Sequence, residues 1–198
     1  MGGALWIGTS GFVYRHWQKG VFYPADLPAR QELEYYARQF DSVELNNPFY
    51  RLPARGIFER WAARVPARFR IAVKAPRVIT HYKKLLHCEA QPEKYWEQAS
   101  GLGDQFGVTL FQFPASWDKD AERLREFLVR LPRKPKSVFE FRHASWMKEE
   151  VYKLLDHAGA GFCTAVHPGL PLPAGRSDHF VQARTLTSKP GICPNEQS

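Results

Sequence analysis

The sequence has few cysteines, few acidic residues and no long apolar run. Its 198 residues include three cysteines, Cys88, Cys163 and Cys193, which are widely spaced and form no CxxC pair. An odd number of scattered cysteines argues against a disulfide scaffold and against a structural zinc site. No stretch approaches the roughly 20 apolar residues that span a bilayer, and residues 1–8 lack the features of a signal peptide. We therefore expect a cytoplasmic protein that does not contact a membrane.

Apolar residues make up 44% of the chain and aromatic residues 14%, which is enough to build a buried core. This composition excludes a disordered, collagen-like or low-complexity protein. We predict one domain over residues 1–184, followed by an irregular tail over residues 185–198.

Acidic residues are scarcest in one part of the chain. The whole sequence carries 28 Lys and Arg against 20 Asp and Glu, a net charge of +8. Residues 51–84 hold ten of the basic residues and a single acid, Glu59, so this segment alone carries +9. A concentrated positive segment is typical of proteins that bind phosphates, nucleic acids or acidic sugars. The alternative interpretation is a basic helix face that is merely solvated.

Short β-rich runs alternate with helical patterns along the chain. The strands that we predict are Leu5–Gly8, Ser42–Asn46, Phe69–Lys74, Val108–Phe113, Ser137–Phe141, Gly161–Val166 and Phe180–Arg184. Between them, apolar residues recur at helical spacing, as in Leu33, Tyr36 and Ala37. We also predict a helix over Gln91–Leu102 and another that starts after an N-cap at Ser145. Strict alternation of strands and helices predicts an α/β fold with a parallel sheet.

Two architectures fit this alternation: an open doubly wound sheet and a (β/α) barrel. The loop Gly8–Gly11 after the first strand is too short to be a dinucleotide-binding or P-loop motif, which argues against the open sheet. Polar residues follow strand after strand, and in a barrel these strand ends meet at one mouth, where active sites are built. The pattern therefore favours a TIM-type (β/α) barrel.

Three charged side chains lie within apolar strand sequences, where burying a charge is expensive: Glu44, Lys74 and Glu140. Alternation places Glu44 and Asn46 on one face of their strand, and Glu140 and Arg142 on one face of theirs. We predict that the three charged residues are catalytic. The residues that we predict to bind a ligand around them are Ser10, Trp17, Asn46, Tyr50, Gln112, Arg142, His143 and Arg184.

The charged residues have three interpretations, and spacing does not choose among them. The two carboxylates are a general acid and a base or nucleophile, as in glycoside hydrolysis. Alternatively, Lys74 is an amine of lowered pKa that forms a Schiff base with a carbonyl substrate. The third interpretation is a structural ion-pair network that closes the barrel interior.

The segment Phe12–Trp17, which follows the first strand, is rich in aromatic residues. A loop of this kind can stack on a sugar or a base at the mouth of the barrel. The alternative is a hydrophobic plug that shields the barrel end.

The seven histidines form no HxH or HExxH motif. His143 and His167 each end a strand, and with Glu44 or Glu140 they would suffice for a divalent metal. A lone histidine at a strand end is more often a polar residue that faces solvent, so we predict no metal site, and the sequence indicates no particular cofactor. No GxSxG elbow is present and neither Cys88 nor Cys163 lies beside an evident base, which disfavours serine and cysteine hydrolases.

Several motifs follow one another in a recognisable order. They are Ile7-Gly-Thr-Ser-Gly11, Tyr14-x-x-Trp17, Val21-Phe-Tyr-Pro24, Leu33-x-Tyr-Tyr-Ala37, Phe40-x-x-Val-Glu-Leu-Asn46, Phe49-Tyr-Arg51, Phe69-Arg-Ile-Ala-Val-Lys-Ala-Pro76, Ile79-Thr-His81, Leu110-Phe-Gln-Phe-Pro114 and Glu140-Phe-Arg-His143 with Ser145-Trp146. Together they closely resemble the YecE-like family, a domain of unknown function with the number seventy-two. The resemblance runs from about residue 5 to about residue 184.

The resemblance implies a TIM-type barrel whose activity is not established, and it brings no cofactor. Carried over position by position, the family's mouth residues would be Glu44, Asn46, Lys74, Gln112, Glu140 and Arg142. Fold alone does not give function.

The C-terminal part departs from the family pattern. Family members resemble one another in a seventh strand that runs into Arg-x-His-Gly and in an eighth strand, whereas Phe180–Arg184 is followed here by Thr-Leu-Thr-Ser-Lys-Pro-Gly. TIM barrels typically have about 250 residues. We therefore expect seven parallel strands, with the last β/α unit missing through truncation or a frame shift.

Three functions remain open at this point. The first is a small-molecule enzyme, a hydrolase or lyase that acts on a sugar-like or phosphorylated substrate. The second is a protein that binds or processes nucleic acid through residues 51–84. The third is a catalytically silent remnant of the family.

Overall fold

The computed structural model describes residues 5–88, 90–166 and 181–185. Its strands are β1 Gly8–Ser10, β2 Ser42–Leu45, β3 Arg70–Lys74, β4 Phe106–Gln112, β5 Lys136–Glu140, β6 Gly161–Val166 and β7 Val181–Thr185. Each strand pairs in parallel with the next one along the chain. The sheet made by β1 to β6 curls into a half-barrel. The predicted α/β class and the parallel order of the strands are confirmed.

Helices cover the outside of the curled sheet. The α-helices are α1 Glu32–Gln39, α2 Asn47–Tyr50, α3 Arg55–Ala62, α4 Ala90–Ala99, α5 Ala121–Leu128 and α6 Glu149–His157. Shorter helical turns are Arg15–Trp17, Ala29–Gln31, Ser100–Gln105 and Ala144–Trp146, and Val78–Tyr82 forms a π-helix. In the part of the chain that the structure describes, no helix is long and apolar enough to cross a membrane.

The first strand begins later than predicted, at Gly8 and not at Leu5. Leu5 and Ile7 are instead exposed, at 81% and 58%. The carbonyl of Ile7 still accepts bonds from the N–H groups of Asp41 and Ser42. At Gly8 the two backbones come so close that a Cβ atom would overlap the carbonyl oxygen of Ser42, so this position requires glycine.

Two predicted helix boundaries are wrong. Helix α6 starts at Glu149 after Lys148, whereas the predicted N-cap Ser145 lies in the turn Ala144–Trp146. The predicted helix Gln91–Leu102 ends at Ala99, because the chain continues as 3-10 turns up to Gln105 with Gly103 in the left-handed region.

The core between sheet and helices is made from alternate residues of the strands. One cluster joins β2 and β3 to α1, α3 and α4, and includes Val43, Ile71 and Phe58. Another joins β4 and β5 to α5 and α6 through stacked phenylalanines, among them Phe111 and Phe139 at a ring-centroid distance of 5.1 Å. Both clusters hold the odd-numbered residues of these strands, so the even-numbered residues point to the inside of the curl.

Candidate active site on the inner face of the sheet

The inner face of the sheet has a small apolar floor with polar residues above it. The floor consists of Val108, Leu110, Val138 and Cys163, with Ala72 packed against them. The next inward positions towards the carboxyl ends of the strands are Lys74, Gln112 and Glu140. These are the strand ends at which α/β barrels build their active sites.

Glu44 lies on β2 and is 5% exposed. Its Oε1 atom accepts a hydrogen bond of 2.9 Å from the hydroxyl of Ser10, which is its register partner on β1. The Ser10 hydroxyl in turn accepts a bond of 3.0 Å from the Nδ2 atom of Asn46. Asn46, Ser10 and Glu44 thus form a chain of two hydrogen bonds, which fixes the orientation of this carboxylate. All three are predicted site residues, whereas the bonds that join Ser10 to the other two were not predicted.

Glu140 lies on β5 and is completely buried. Its Oε1 atom accepts a bond of 2.8 Å from Gln112 Nε2 and a bond of 3.0 Å from Arg142 Nε. Its Oε2 atom accepts a weak bond of 3.8 Å from the thiol of Cys163. Gln112 is the register partner of Glu140 on β4, so the parallel pairing itself brings the amide to the carboxylate.

Lys74 ends β3, the strand next to Glu44, and is half-buried. Its ammonium lies 4.2 Å from the ring centroid of Phe49, a cation–π contact. Phe49 also meets the ring of His81 edge to face at 5.0 Å. The hydroxyl of Thr80 and Nδ1 of His81 are 2.9 Å apart. An apolar ring under the ammonium removes water from one side of it, which strengthens its attraction for an anion.

The two carboxylates have separate sets of partners. Strands β3 and β4 lie between β2 and β5, which places Glu44 and Glu140 about 14 Å apart around the sheet at the usual strand spacing. Because the sheet curls, side chains on its inner face approach each other more closely than their backbones do. Lys74 stands on a strand between the two acids.

Trp17, Tyr50 and Arg184 have other surroundings. The ring of Trp17 lies 4.7 Å from Tyr14, 4.9 Å from Phe22 and 6.4 Å from Tyr36 of α1. These contacts pack the half-buried Trp17 against the core between sheet and helices, which favours the hydrophobic interpretation of this loop over a stacking platform. Tyr50 is 51% exposed at the end of α2. The side chain of Arg184 lies outside the described residues, as does His167.

His143 belongs to a clasp between two loops that the sequence did not reveal. Its Nε2 atom lies 3.2 Å from Asp118 Oδ1 and its Nδ1 atom lies 2.8 Å from the hydroxyl of Ser145. The same hydroxyl accepts a 2.8 Å bond from the backbone N–H of Lys119. The clasp thus joins the loop after β4 to the loop after β5. A single histidine two residues before a serine was the only hint of it in the sequence.

In the described parts of the chain, no group of three His, Cys, Asp or Glu residues could hold a metal ion. The groups on the inner face are two carboxylates, an ammonium, a guanidinium and two amides. Such a set can transfer protons and bind an anion without a metal.

The sequence matches the model of a known family. A sequence model described as "Protein of unknown function DUF72" matches residues 6–193. The chain belongs to the DUF72 family. The resemblance to YecE-like proteins is confirmed.

Two bacterial relatives have curated names without an assigned activity. The "UPF0759 protein YecE" of Escherichia coli strain K12 is 33% identical over 112 residues, which are 56% of this chain and 41% of that protein. The "UPF0759 protein YunF" of Bacillus subtilis strain 168 is 28% identical over 159 residues, which are 75% of this chain and 54% of that protein. The matched part of the chain thus spans about half the length of these curated relatives.

Solved structures of DUF72 proteins share the fold. A family member from Thermotoga maritima MSB8 superposes with a TM-score of 0.78 at 31% identity, over 91% of this chain and 73% of that chain. Another from Enterococcus faecalis V583 superposes with a TM-score of 0.58 at 19% identity, over 72% of this chain and 62% of that one. The second likeness concerns the fold alone.

Proposed function

We propose that this DUF72 protein is a small-molecule enzyme, a hydrolase or lyase on a sugar-like or phosphorylated substrate, with its active site on the inner face of the sheet. The observation that carries the proposal is the burial of Glu44 and Glu140 above the apolar floor. Buried charges are poor sources of stability, because their desolvation offsets much of the attraction between partners. Charges kept at the carboxyl ends of parallel strands are therefore better explained by chemistry.

Glu44 is the proposed general acid or base. It retains some exposure, and the Asn46–Ser10 chain directs one of its oxygens. The other oxygen is the one proposed to exchange a proton with the substrate. A hydroxyl donor can rotate as the carboxylate gains or loses its proton, which suits a group that changes charge during a reaction.

Glu140 is the proposed positioning residue. A buried carboxylate that accepts bonds from a guanidinium and an amide has a fixed orientation. It orients Arg142, whose side chain is 25% exposed, and Gln112. Arg142 and Lys74 then supply the positive charge that a phosphate or carboxylate of the substrate would require.

The proposed architecture is a TIM-type barrel. Sequential parallel pairing from β1 to β7, helices outside and polar residues at the carboxyl strand ends all support it. In such a barrel the positions of Glu44, Lys74 and Glu140 converge on one mouth.

The experiment compares Glu44→Gln with Glu140→Gln in the full chain. Turnover is screened with p-nitrophenyl phosphate, p-nitrophenyl glycosides and a metabolite mixture, and folding is followed by thermal melting. We expect Glu44→Gln to abolish turnover while the melting temperature stays within a few degrees. Loss of folding in both variants with no turnover in the wild type would instead support the structural network or the silent remnant.

A Schiff base on Lys74 is the second version of the same site, favoured by its apolar neighbour Phe49. Reduction with borohydride in the presence of dihydroxyacetone phosphate would then add the mass of the reduced adduct to Lys74. The Lys74→Arg variant is the matched control. If the protein turns over substrate but Lys74 carries no reduced adduct, the result supports the acid–base version of the site.

A further inference from the structure

We propose that a second surface, formed by the segments that follow β2 and β3, binds single-stranded nucleic acid by stacking bases on Tyr50 and Tyr82, with Arg77 beside both rings. This surface, called the tyrosine platform below, consists of these three residues. It adjoins the proposed active site, because Phe49, which contacts the ammonium of Lys74, lines the same cleft.

The tyrosine platform combines exposed rings with a cation. Tyr50 is 51% exposed and Tyr82 is 65% exposed, and both line the same cleft, so they form a joint exposed patch. The guanidinium carbon of Arg77 lies 5.9 Å from the ring centroid of Tyr50 and 5.2 Å from that of Tyr82. Aromatic rings and arginine planes are the groups on which proteins stack unpaired bases.

The platform borders a cleft of about 650 Å³, which lies within the size range of ligand sites. Lys94 adds a second positive charge to its wall, and the amides of Gln91 and Gln98 are potential donors and acceptors for base edges. Among the residues that line this cleft in the described chain, none is acidic. Charge and shape therefore fit an anionic, planar ligand.

A second cleft, of about 850 Å³, also has Tyr50 in its lining. Arg51, Asn47 and Trp61 are among its lining residues. The two clefts share Tyr50, Leu52, Pro53 and Ala54. Two adjoining clefts that share an exposed tyrosine fit a polymer that continues past the ring better than they fit one isolated nucleotide.

The backbone that presents Tyr82 has an uncommon geometry. The π-helix Val78–Tyr82 widens the chain just before it, and Lys84, Leu85 and His87 follow with φ values of 47°, 69° and 45°. Residues other than glycine seldom occupy the left-handed region, and π-helical turns and such strained residues concentrate at functional sites. This geometry is a separate reason to assign a role to the platform.

The platform also corrects the simplest interpretation of the basic segment 51–84. Two of its basic residues are paired with acids, Arg64 with Glu34 at 2.7 Å and Arg55 with Glu59 at 3.0 Å, which reduces the net charge that they present. Arg70 lies over the ring of Trp6. The charges that border the two clefts are Arg51, Arg77 and Lys94, the last from outside the segment.

The test measures fluorescence anisotropy of labelled dT20, rU20 and a 20-base-pair duplex with the full chain at 50 and 150 mM KCl. We expect binding of at least one single strand, weaker binding of the duplex, and loss of affinity with salt. The stronger of dT20 and rU20 identifies the polynucleotide. Absence of binding to both, or equal binding of the duplex, would overturn the proposal.

Variants separate stacking from general electrostatic attraction. Tyr50→Ala and Tyr82→Ala should each weaken single-strand binding about tenfold, whereas Tyr82→Phe, which keeps the ring, should bind as the wild type does. Arg77→Gln should lower the slope of the logarithm of the binding constant against the logarithm of the salt concentration by about 0.7. The matched control is Lys148→Gln, which removes an exposed charge at the start of α6 and should leave this slope unchanged. If both alanine variants bound single strands with wild-type affinity, the binding would be due to unspecific electrostatic attraction and the platform would be overturned.

One variant connects the test to the proposed active site. Glu44→Gln should leave the affinity for dT20 and rU20 unchanged, because Glu44 is not among the described residues that line the two clefts. A loss of affinity in Glu44→Gln would place the nucleic acid on the inner face and overturn the platform. A negative result in the enzyme assays does not affect the nucleic-acid binding test, and a negative binding test does not affect the enzyme assays.

Discussion

The outer and inner faces of the sheet use neighbouring residues of the same strands for opposite purposes. Phe139 on β5 faces the helices and stacks with Phe111 and Phe141 at 5.1 and 6.3 Å. Its neighbours Val138 and Glu140 face inward, one in the apolar floor and one in the polar layer. On the outer face these strands thus pack into an aromatic cluster, while their inner face carries charged and polar groups above a small apolar floor. We infer that stability is concentrated outside and chemistry inside.

The largest expected effect that tests this contrast is the removal of a ring from the outer face. Phe139→Ala should lower the free energy of unfolding by about 3–5 kcal/mol, because it deletes a buried ring and leaves a cavity among tightly packed neighbours. Val138→Ala on the inner face should cost about 2 kcal/mol. Urea denaturation measures both. An equal or larger loss for Val138→Ala would contradict the assignment of stability to the outer face.

Breaking the buried ion pair should have the next largest effect. Arg142→Met should cost about 2–3 kcal/mol, less than for a fully buried pair, since the Arg142 side chain is 25% exposed. Glu140 would keep the amide of Gln112 but lose its cation.

The double variant Glu140→Met, Arg142→Met is the control. Two apolar side chains of similar volume should recover most of the lost free energy of unfolding, because replacing a buried ion pair by apolar residues often leaves the stability unchanged. A double variant less stable than Arg142→Met would show that the pair itself stabilises the fold, which opposes a functional origin of these charges.

Adjacent residues of β1 give a finer comparison. Ser10 faces inward and donates to a carboxylate, whereas the hydroxyl of Thr9 lies 2.9 Å from the hydroxyl of Tyr36 on the helix side. Ser10→Ala should cost about 1.5 kcal/mol and Thr9→Val about 1 kcal/mol, since hydrogen bonds to charged groups are the stronger ones. We also expect Ser10→Ala, and not Thr9→Val, to shift the pH dependence of turnover. The same shift in both variants would argue against a specific link between Ser10 and Glu44.

The smallest effect belongs to an ion pair remote from both faces of the candidate site. Arg64, by its hydrogen bond to Glu34, lowers the pKa of that carboxyl group, and both side chains are about one-third exposed, at 34% and 36%. Because the folded pKa lies below the unfolded one, the contribution is present at neutral pH and is lost as the pH falls through the folded pKa. Glu34→Gln should therefore lose a few tenths of a kcal/mol at pH 7 and nothing near pH 2. A loss that persists unchanged at pH 2 would exclude the ion pair as its cause.

Much of the inner face was predictable, because alternation along a strand is local. It placed Glu44 with Asn46 and Glu140 with Arg142, and the parallel register then brought Ser10 and Gln112 to the two carboxylates. The bond between Ser10 and Glu44 joins residues 34 positions apart, so only the order of the strands makes it. Patterns of polarity carry no such information about partners.

Other features were beyond the reach of local patterns. The requirement for glycine at position 8 depends on the distance between two backbones, and the His143 clasp depends on where two loops end. The tyrosine platform needs a π-helix, for which the sequence has no recognised signal. Aromatic composition is the same in a core and in a binding site, so the sequence did not reveal that Trp17 packs against the core.

The candidate site depends on the glycine at the start of β1, which is not itself a site residue. Any side chain at position 8 would push the first strand away from its neighbour, and residue 10 would move with it, although nothing at position 8 meets a substrate. The proton chemistry assigned to Glu44 therefore relies on an empty space two residues upstream of its hydroxyl partner. A substitution there would resemble an active-site mutation in assays while leaving every proposed catalytic group chemically intact.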